Sequence, residues 1–594
     1  MTAKGHELPS SVVRRVRDAV RSKAMAHFVE STLQELVSIE TVPGADLAQT
    51  REHEREVLEC IERASASPGA WFTVQHAHIL PDIDRLKDYT VPYYARRPDG
   101  ALPPAARVYA DRCNLLLTLA GAGKPGERGS GLAMNAHVDV VAPHFPFSKH
   151  DGRLWGRGTV DDKGQCVAML AAVRVLEELR ASAGVRPSRD VTLQFVIDEE
   201  PGGNGSLSLA ADPRQDYGCV CVCEATGLRV HPANRGATWY RVEVERLPQA
   251  GPSATVAAAQ ILLELRAEGE RIKAESEHSM FPTRPVQTCN GILGVWGQHP
   301  SRVCPLVVLC IRRADEVGQV STQTIARVDA ALRQGVQAHC RRYGDATAQP
   351  DPDDPTSPKI VRHYDILPRQ GHVQVALYGK SGHMGGIDQL DCAATKAAYV
   401  LMELEKALGA DAEIALCKAP SRGQQAAPSA ADSTVLACGP HRESLRRVVL
   451  EGGQGFVPTH SIDQVQRRLG EAAQRAARRF CEAHALAPEA IRITTSFEKL
   501  HNNAFERPVD SPGVRAALDA VRLAGVYSGE PVLGWDVSCD ARLFADLWPQ
   551  TDVFTFGPGE LRYAHSDGES ITVEELLKGA EALTYMALLY GRQE

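Results

Sequence analysis

No stretch of this chain approaches the ~20 consecutive apolar residues that a membrane-spanning helix needs, so no membrane partner is expected. Positive charge is not in excess either. The net charge of −8 gives no basic footprint for nucleic acid. The segment SVVRRVRDAVRSKAMAHFVESTLQELVSI over residues 11–39 has helical periodicity with charges throughout. It lacks the apolar core of a signal peptide. The 15 cysteines are scattered without a CxxC pair, a pattern that points to a reduced, cytoplasmic setting. Cys219, Cys221 and Cys223 alternate, which puts them on one face of a strand. They read as buried thiols in a sheet rather than as a thiolate metal site.

What is present is a long soluble-type chain. Its 594 residues exceed one ordinary domain, and at ~150 residues per domain three or four are expected. Residues 1–235 read as alternating helices and strands. The apolar strand 131–141 leads through a polar loop to a helix over 163–179, with apolar residues at helical spacing. Strand 190–197 runs directly into Asp198, Glu199 and Glu200, and strand 218–223 into Glu224. Residues 503–594 resume the pattern with helix 511–524, strand 552–559 and a closing helix over 572–591. This tail is expected to complete the first domain. Open α/β sheets carry their active groups at strand ends.

The middle reads differently. A strand at 237–245, a helix at 254–269, more strand-like sequence and a long helix at 322–344 are echoed by strand 371–380, helix 392–408 and helix 463–480. The order suggests two diverged copies of one α/β unit, 236–347 and 348–502, separated by the Pro- and Asp-rich linker 348–359. The polar stretch 419–433 reads as a mobile loop.

Chemistry-bearing residues gather at the strand ends. His137 and Asp139, two apart in NAHVDVV, point to the same face. Asp161 and Asp162 follow the Gly-rich turn of GRGTVDDKG, where glycine allows close backbone approach. Glu199 and Glu200 are adjacent, so on a regular strand they would face opposite ways; PGGNG, directly after them, frees the backbone to bring both inward. Glu224 and His565, the latter in AHSDGE, complete a series of oxygen and imidazole donors able to hold two adjacent metal ions. Each piece alone carries a high false-positive risk.

In this order the motifs resemble the co-catalytic zinc peptidase family of aminoacylase, succinyl-diaminopimelate desuccinylase, carboxypeptidase G and carnosinase. The resemblance implies a zinc-exopeptidase-like three-layer α/β catalytic domain with an inserted α/β lid made of two related subdomains. It implies that Asp161 bridges two metals, that His137 and Glu200 complete one ion's ligands and Glu224 and His565 the other's, and that Asp139 orients His137. Glu199 becomes the general base. Such ligation suits Zn²⁺, and also Mn²⁺ or Co²⁺. His383, in GKSGHMGG, matches a lid histidine that stabilises the oxyanion; aligning the two copies puts Ala250 opposite it. Two lid-like copies of which one has the histidine resemble the family's single-chain dipeptidases, whose enlarged lid imitates a dimer. A monomer would then suffice, with a homodimer as the other arrangement. Asp540 and Arg542 in GWDVSCDARLF, and backbone N–H groups of Gly557 and Gly559 in FGPGE, are candidates for holding the substrate.

The expected substrate is a small peptide or an N-substituted amino acid. One reading is a dipeptidase or aminopeptidase. A second is an amidohydrolase removing an N-acyl or N-carbamoyl group. A third, a catalytically silent metal-binding protein, would be favoured by loss of Glu199 or of a ligand, and the sequence keeps the whole set.

Overall fold

The structure is a computed structural model. It describes residues 8–66, 71–97, 101–123, 131–247, 252–294, 303–313, 315–316, 318–352, 354–380, 382, 384, 389–409, 412–417, 440–497, 501–566 and 568–592. The stretch 419–433 lies outside them. The chain divides into two compact units: Met1–Gly236 with His278–Pro282 and Lys499–Glu594, and Ala237–Glu277 with Thr283–Glu498.

The first unit is built on a six-stranded sheet in the order Phe72–His78, Cys113–Leu119, Val191–Val196, Leu132–His137, Cys219–Val222, Asp552–Thr555. The last four strands run parallel; the first two pair antiparallel with each other, and Cys113–Leu119 pairs antiparallel with Val191–Val196. Strand alternation feeds two cores. Leu132, Met134, Ala136, Leu193 and Phe195 pack with the helix Lys163–Ala183, together with the thiols of Cys219, Cys221 and Cys223. Ala133, Val220, Val222 and Val553 pack on the other side with Ala210, Ala541 and Phe544 of the helices Asn204–Ala211 and Ala541–Leu547. A sheet buried on both faces reads as continuous apolar strands, which is why these segments lack a polar alternation. The result is three layers.

The helix Lys163–Ala183 ends at Gly184, whose φ of 64° is the left-handed cap that glycine adopts without cost. The closing helix Val573–Leu589 starts on a capping box of Thr572 and Glu575. The C-terminal segment returns to the first unit through Asp552–Thr555, paired in parallel with Cys219–Val222. The N-terminal helical segment is two helices, Ser10–Val20 and Lys23–Ser38, the second capped by the Ser22 hydroxyl. Among the described residues no helix is long and apolar enough to cross a membrane.

The second unit holds two sheets. One orders Thr288–Gly294, Arg447–Phe456, Gly236–Arg246, Ile491–Ser496; the other orders Ala412–Leu416, Leu306–Arg313, His372–Tyr378, Tyr364–Arg369. Each strand of the first half occupies, in one sheet, the position that its counterpart in the second half occupies in the other. The halves 236–347 and 348–502 do not form separate sheets, since strands from both stand side by side in each. The junction also moves. Tyr364–Arg369 is the counterpart of Ile491–Ser496 and closes the first half. The hairpin where Arg369 faces His372 opens the second.

Gly205, in the first turn of Asn204–Ala211, sits against the strand that carries the glutamates. A Cβ there would stand 2.1 Å from the Ile197 carbonyl oxygen, a backbone atom that cannot step aside alone. Gly205→Ala is expected to cost ~1–3 kcal/mol, as overpacking does, read as a lowered midpoint in chemical unfolding. An unchanged midpoint would contradict this close contact.

Candidate metal centre

The sheet order brings the ends of three neighbouring parallel strands together. His137 ends the central one, Glu224 follows the next, and Asp198, Glu199 and Glu200 follow the strand on its other side. This is the switch point where open α/β sheets form a crevice.

His137 is buried. Its Nδ1 donates to the carbonyl oxygen of Asp139 at 2.9 Å, nearer than that residue's carboxylate at 3.6 Å. With Nδ1 committed to that carbonyl, Nε2 is the nitrogen left to face a metal. That Nε2 lies 3.0 Å from Asp161 Oδ1, while Asp161 Oδ2 lies 3.1 Å from His565 Nε2. Asp161 thus stands between the two imidazoles with one oxygen toward each. His565 Nε2 is also 2.9 Å from Glu200 Oε1.

Donor atoms of His137, Asp161, Asp162 and Glu224 lie within 4.8 Å of one another, as do those of Asp161, Glu200 and His565. The five residues expected as ligands fall within these two groups, Asp161 in both. The division differs from that expected: Glu224 falls with His137, and Glu200 with His565. The strands before Glu200 and Glu224 both pair with His137's own strand, one on each side, and Glu200 is set apart by the turn that brings its Oε1 to His565.

Electrostatics fit cations. Burial, reinforced by Asp162 and Asp161, raises Glu224 well above the usual carboxylate range. Burial and then Asp540 do the same for Glu199. Burial would lower His137, but Asp162, Asp139 and Asp161 hold it well above its ordinary value. Asp161 moves the other way: burial raises it, and the hydrogen bonds from His137 and His565 outweigh that and lower it. Asp162 accepts the His137 backbone N–H at 3.0 Å through Oδ2, and its buried Oδ1 has no hydrogen-bond partner. A buried lone carboxylate oxygen beside imidazole and carboxylate donors suits divalent ions.

The supporting residues were mostly not anticipated. Asp139 accepts the N–H groups of Glu199 and Glu200 at 3.1 and 3.0 Å, so its carboxylate fixes both glutamates' backbone. Asp198, at φ 59°, turns the chain; its carboxylate is held by Arg112 and by the hydroxyls of Tyr94 and Tyr109, at 2.6–2.8 Å for the nearest contacts. Arg112 also binds Glu54. Glu569 Oε1 accepts N–H groups of Gly158, Val160 and Asp161 at 2.9–3.1 Å, while Arg157 pairs with its Oε2 at 2.6 Å. Glu569 and Arg157 stood inside the motifs already noted. Arg112 and Glu54 carry no local signal.

The substrate candidates fall against the same frame. Arg542 is buried and donates to the Gly202 carbonyl at 3.1 Å. Asp540 lies against Gly203, where a Cβ would meet its Oδ1 at 2.2 Å. Both therefore brace the turn after Glu200. Gly557 does not offer its N–H to a ligand, because it donates to Thr226 Oγ1 at 2.9 Å. The Gly559 carbonyl accepts the N–H of Gly227 at 2.8 Å. His383 and Ala250 lie outside the described residues.

The model of Peptidase family M20/M25/M40 matches residues 133–589. Among curated proteins, a putative LysW-lysine/LysW-ornithine hydrolase of Pyrobaculum aerophilum is 30% identical over 174 residues, 29% of this chain and 46% of the relative. Aminoacylase-1 of Dictyostelium discoideum is 28% identical over 132 residues, 21% of this chain and 28% of the relative. The chain thus spans less than half the length of these relatives. Among solved structures, the dipeptidase Dug1p of Saccharomyces cerevisiae aligns with a TM-score of 0.56 at 12% identity, over 99% of this chain and all of that one. Human carnosine dipeptidase 1 gives 0.53 at 13% identity, over 98% of this chain and all of that one. These two share the fold. With the family model spanning most of the chain, over the strands and the tail that carry the donors, this protein belongs to Peptidase family M20/M25/M40.

Proposed function

We propose that this chain is a two-metal hydrolase of the peptide or amide bond of short substrates, acting as a dipeptidase or aminopeptidase. The observation that carries the reading is the pair of donor groups sharing Asp161. Two divalent ions held there would polarise the scissile carbonyl and bring the pKa of a water toward ~7. The ligands are His137, Asp161 and Glu224 for one ion, with Asp162 beside them, and Asp161, Glu200 and His565 for the other. A thiolate-free set suits Zn²⁺, with Mn²⁺ and Co²⁺ as the other fits.

Glu199 serves as general base. Its Oε2 lies 3.9 Å from His137 Nε2, and it is not needed in either donor group. Its raised proton affinity suits a group that takes a proton from the attacking water and returns it to the departing amine nitrogen. Asp139 holds its backbone during that exchange. Asp540 and Arg542 act by keeping the adjoining turn in register, and Gly559 remains the candidate of its loop for substrate contact. His383 supplies the oxyanion donor, a role resting on its GKSGH setting. The exchange symmetry of the second unit supports its reading as a single-chain imitation of a dimer, hence a monomeric enzyme. The described cysteines form no disulfide with one another, which suits a cytoplasmic setting.

Removal of an N-acyl or N-carbamoyl group is the second reading, favoured by the match to aminoacylase-1, since one metal centre serves both chemistries. A hydrolysis screen of metal-loaded protein against dipeptides, N-acyl and N-carbamoyl amino acids decides between them.

Exhaustive chelation should abolish hydrolysis, and Zn²⁺, Mn²⁺ or Co²⁺ should restore it; full activity in metal-free protein would overturn the assignment. Glu199→Ala should retain both ions and lose ~10²–10⁴-fold in kcat, the scale of general acid–base catalysis. Reduced metal content with surviving activity would move the base elsewhere. His383→Ala should lose ~10²–10³-fold in kcat with metal content unchanged, the scale of one oxyanion donor, and wild-type turnover would remove it from the reaction.

A further inference from the structure

A separate set of mixed donors lies in the second unit. Cys340 is in the last turn of the helix Thr322–Tyr343, Asp345 follows the helix end at Gly344, and His363 immediately precedes the strand Tyr364–Arg369. The loop between them folds back on itself: Lys359 N–H donates to the Gln349 carbonyl at 2.9 Å and Ile360 N–H to that of Ala346 at 3.4 Å. This return brings His363 beside the helix end. Its Nε2 is 3.6 Å from Cys340 Sγ and 2.9 Å from Asp345 Oδ1, and all three donor atoms lie within 4.8 Å of one another.

Two chemistries use a cysteine, a histidine and a carboxylate. In a nucleophile relay the thiol meets one ring nitrogen and the carboxylate holds the other. Here both converge on Nε2, and the buried Nδ1 has no hydrogen-bond partner. A proton relay through the ring is therefore absent, and convergence on one point is the geometry of a cation. The spacing agrees. Zinc–sulfur and zinc–nitrogen bonds of about 2.3 and 2.0–2.1 Å at a tetrahedral angle put sulfur and nitrogen about 3.6 Å apart. The Asp345 oxygen needs to open by about half an ångström from its hydrogen-bonded distance, within reach for a half-exposed side chain. One thiolate and one carboxylate also neutralise a divalent charge.

We propose that Cys340, Asp345 and His363 form a further divalent-cation site, selective for Zn²⁺-like borderline ions, that staples the Pro-rich loop to the end of the helix Thr322–Tyr343. Three protein donors leave a fourth position for water on the side where Asp345 is exposed.

The test separates this site from the catalytic one by its sulfur. The full-length apo protein is titrated with Co²⁺ while sulfur-to-cobalt charge-transfer absorption is followed. The expected result is a band that saturates at one thiolate-bound Co²⁺ per chain and is displaced by Zn²⁺. Cys340→Ser should abolish it. His363→Ala, and Asp345→Ala at a half-exposed position, should each weaken Co²⁺ affinity tenfold or more. Asp161→Asn, which disables the donor pair of the first unit, should leave the band intact. No band in the wild type, a band persisting in Cys340→Ser, or wild-type affinity in both other variants would overturn the proposal. None of these outcomes depends on hydrolysis.

Discussion

Like charge in a buried space is the constraint on which the first unit is built. Asp139, Asp161, Asp162, Glu199, Glu200 and Glu224 gather at three strand ends with only two imidazoles among them. Carboxylates do not assemble out of water unless something holds each one. Part of the offset is hydrogen bonding from backbone N–H groups, which costs no extra charge. Asp139 receives two such bonds and Asp162 one. The remainder is left for cations, which is the electrostatic ground for reading the site as a candidate metal centre.

Around this centre stands a ring of buried ion pairs that touch the donors only through the backbone. Arg112 binds Asp198 and Glu54, and Arg157 binds Glu569. Such pairs are weak sources of net stability, because desolvation opposes their attraction, yet losing one partner leaves a buried charge uncompensated. Their value here is positional. Glu569 gathers three amides of the turn that presents Asp161, and Arg112 fixes the residue next to Glu199. The position of each reactive group is thereby set by groups that need not touch a substrate.

His137, Glu199, Glu200 and Glu224 were legible in the sequence because they end apolar runs, a pattern with a physical cause: parallel strands are buried on both faces and release polar groups only where they stop. The family and the three-layer fold follow from that. The grouping of the donor residues does not. Glu200 and Glu224 are alike in type, and both follow strands that neighbour His137's own, so only the folded positions of their carboxylates separate them. Gly557 shows a similar limit, since its N–H is spent on Thr226, a partner far away in sequence. Arg112 and Glu54 are single buried charges without periodicity. In the second unit the duplicated order of elements was visible, but exchange of strands between halves preserves every local pattern, so a boundary drawn at a Pro-rich linker missed it.

That exchange governs how the chain comes to be made. The strand Gly236–Arg246 is flanked in its sheet by Arg447–Phe456 and Ile491–Ser496, and Cys219–Val222 pairs with Asp552–Thr555. A nascent chain emerging from the ribosome therefore displays apolar strands whose neighbours have not yet been synthesised. Residues produced early must wait, with open edges, for residues produced late. Long-range pairing of this kind is slow and leaves such edges exposed to other chains. Production of this protein should accordingly be governed by translation speed and by chaperones that cover strand edges, more than by the stability of the finished fold.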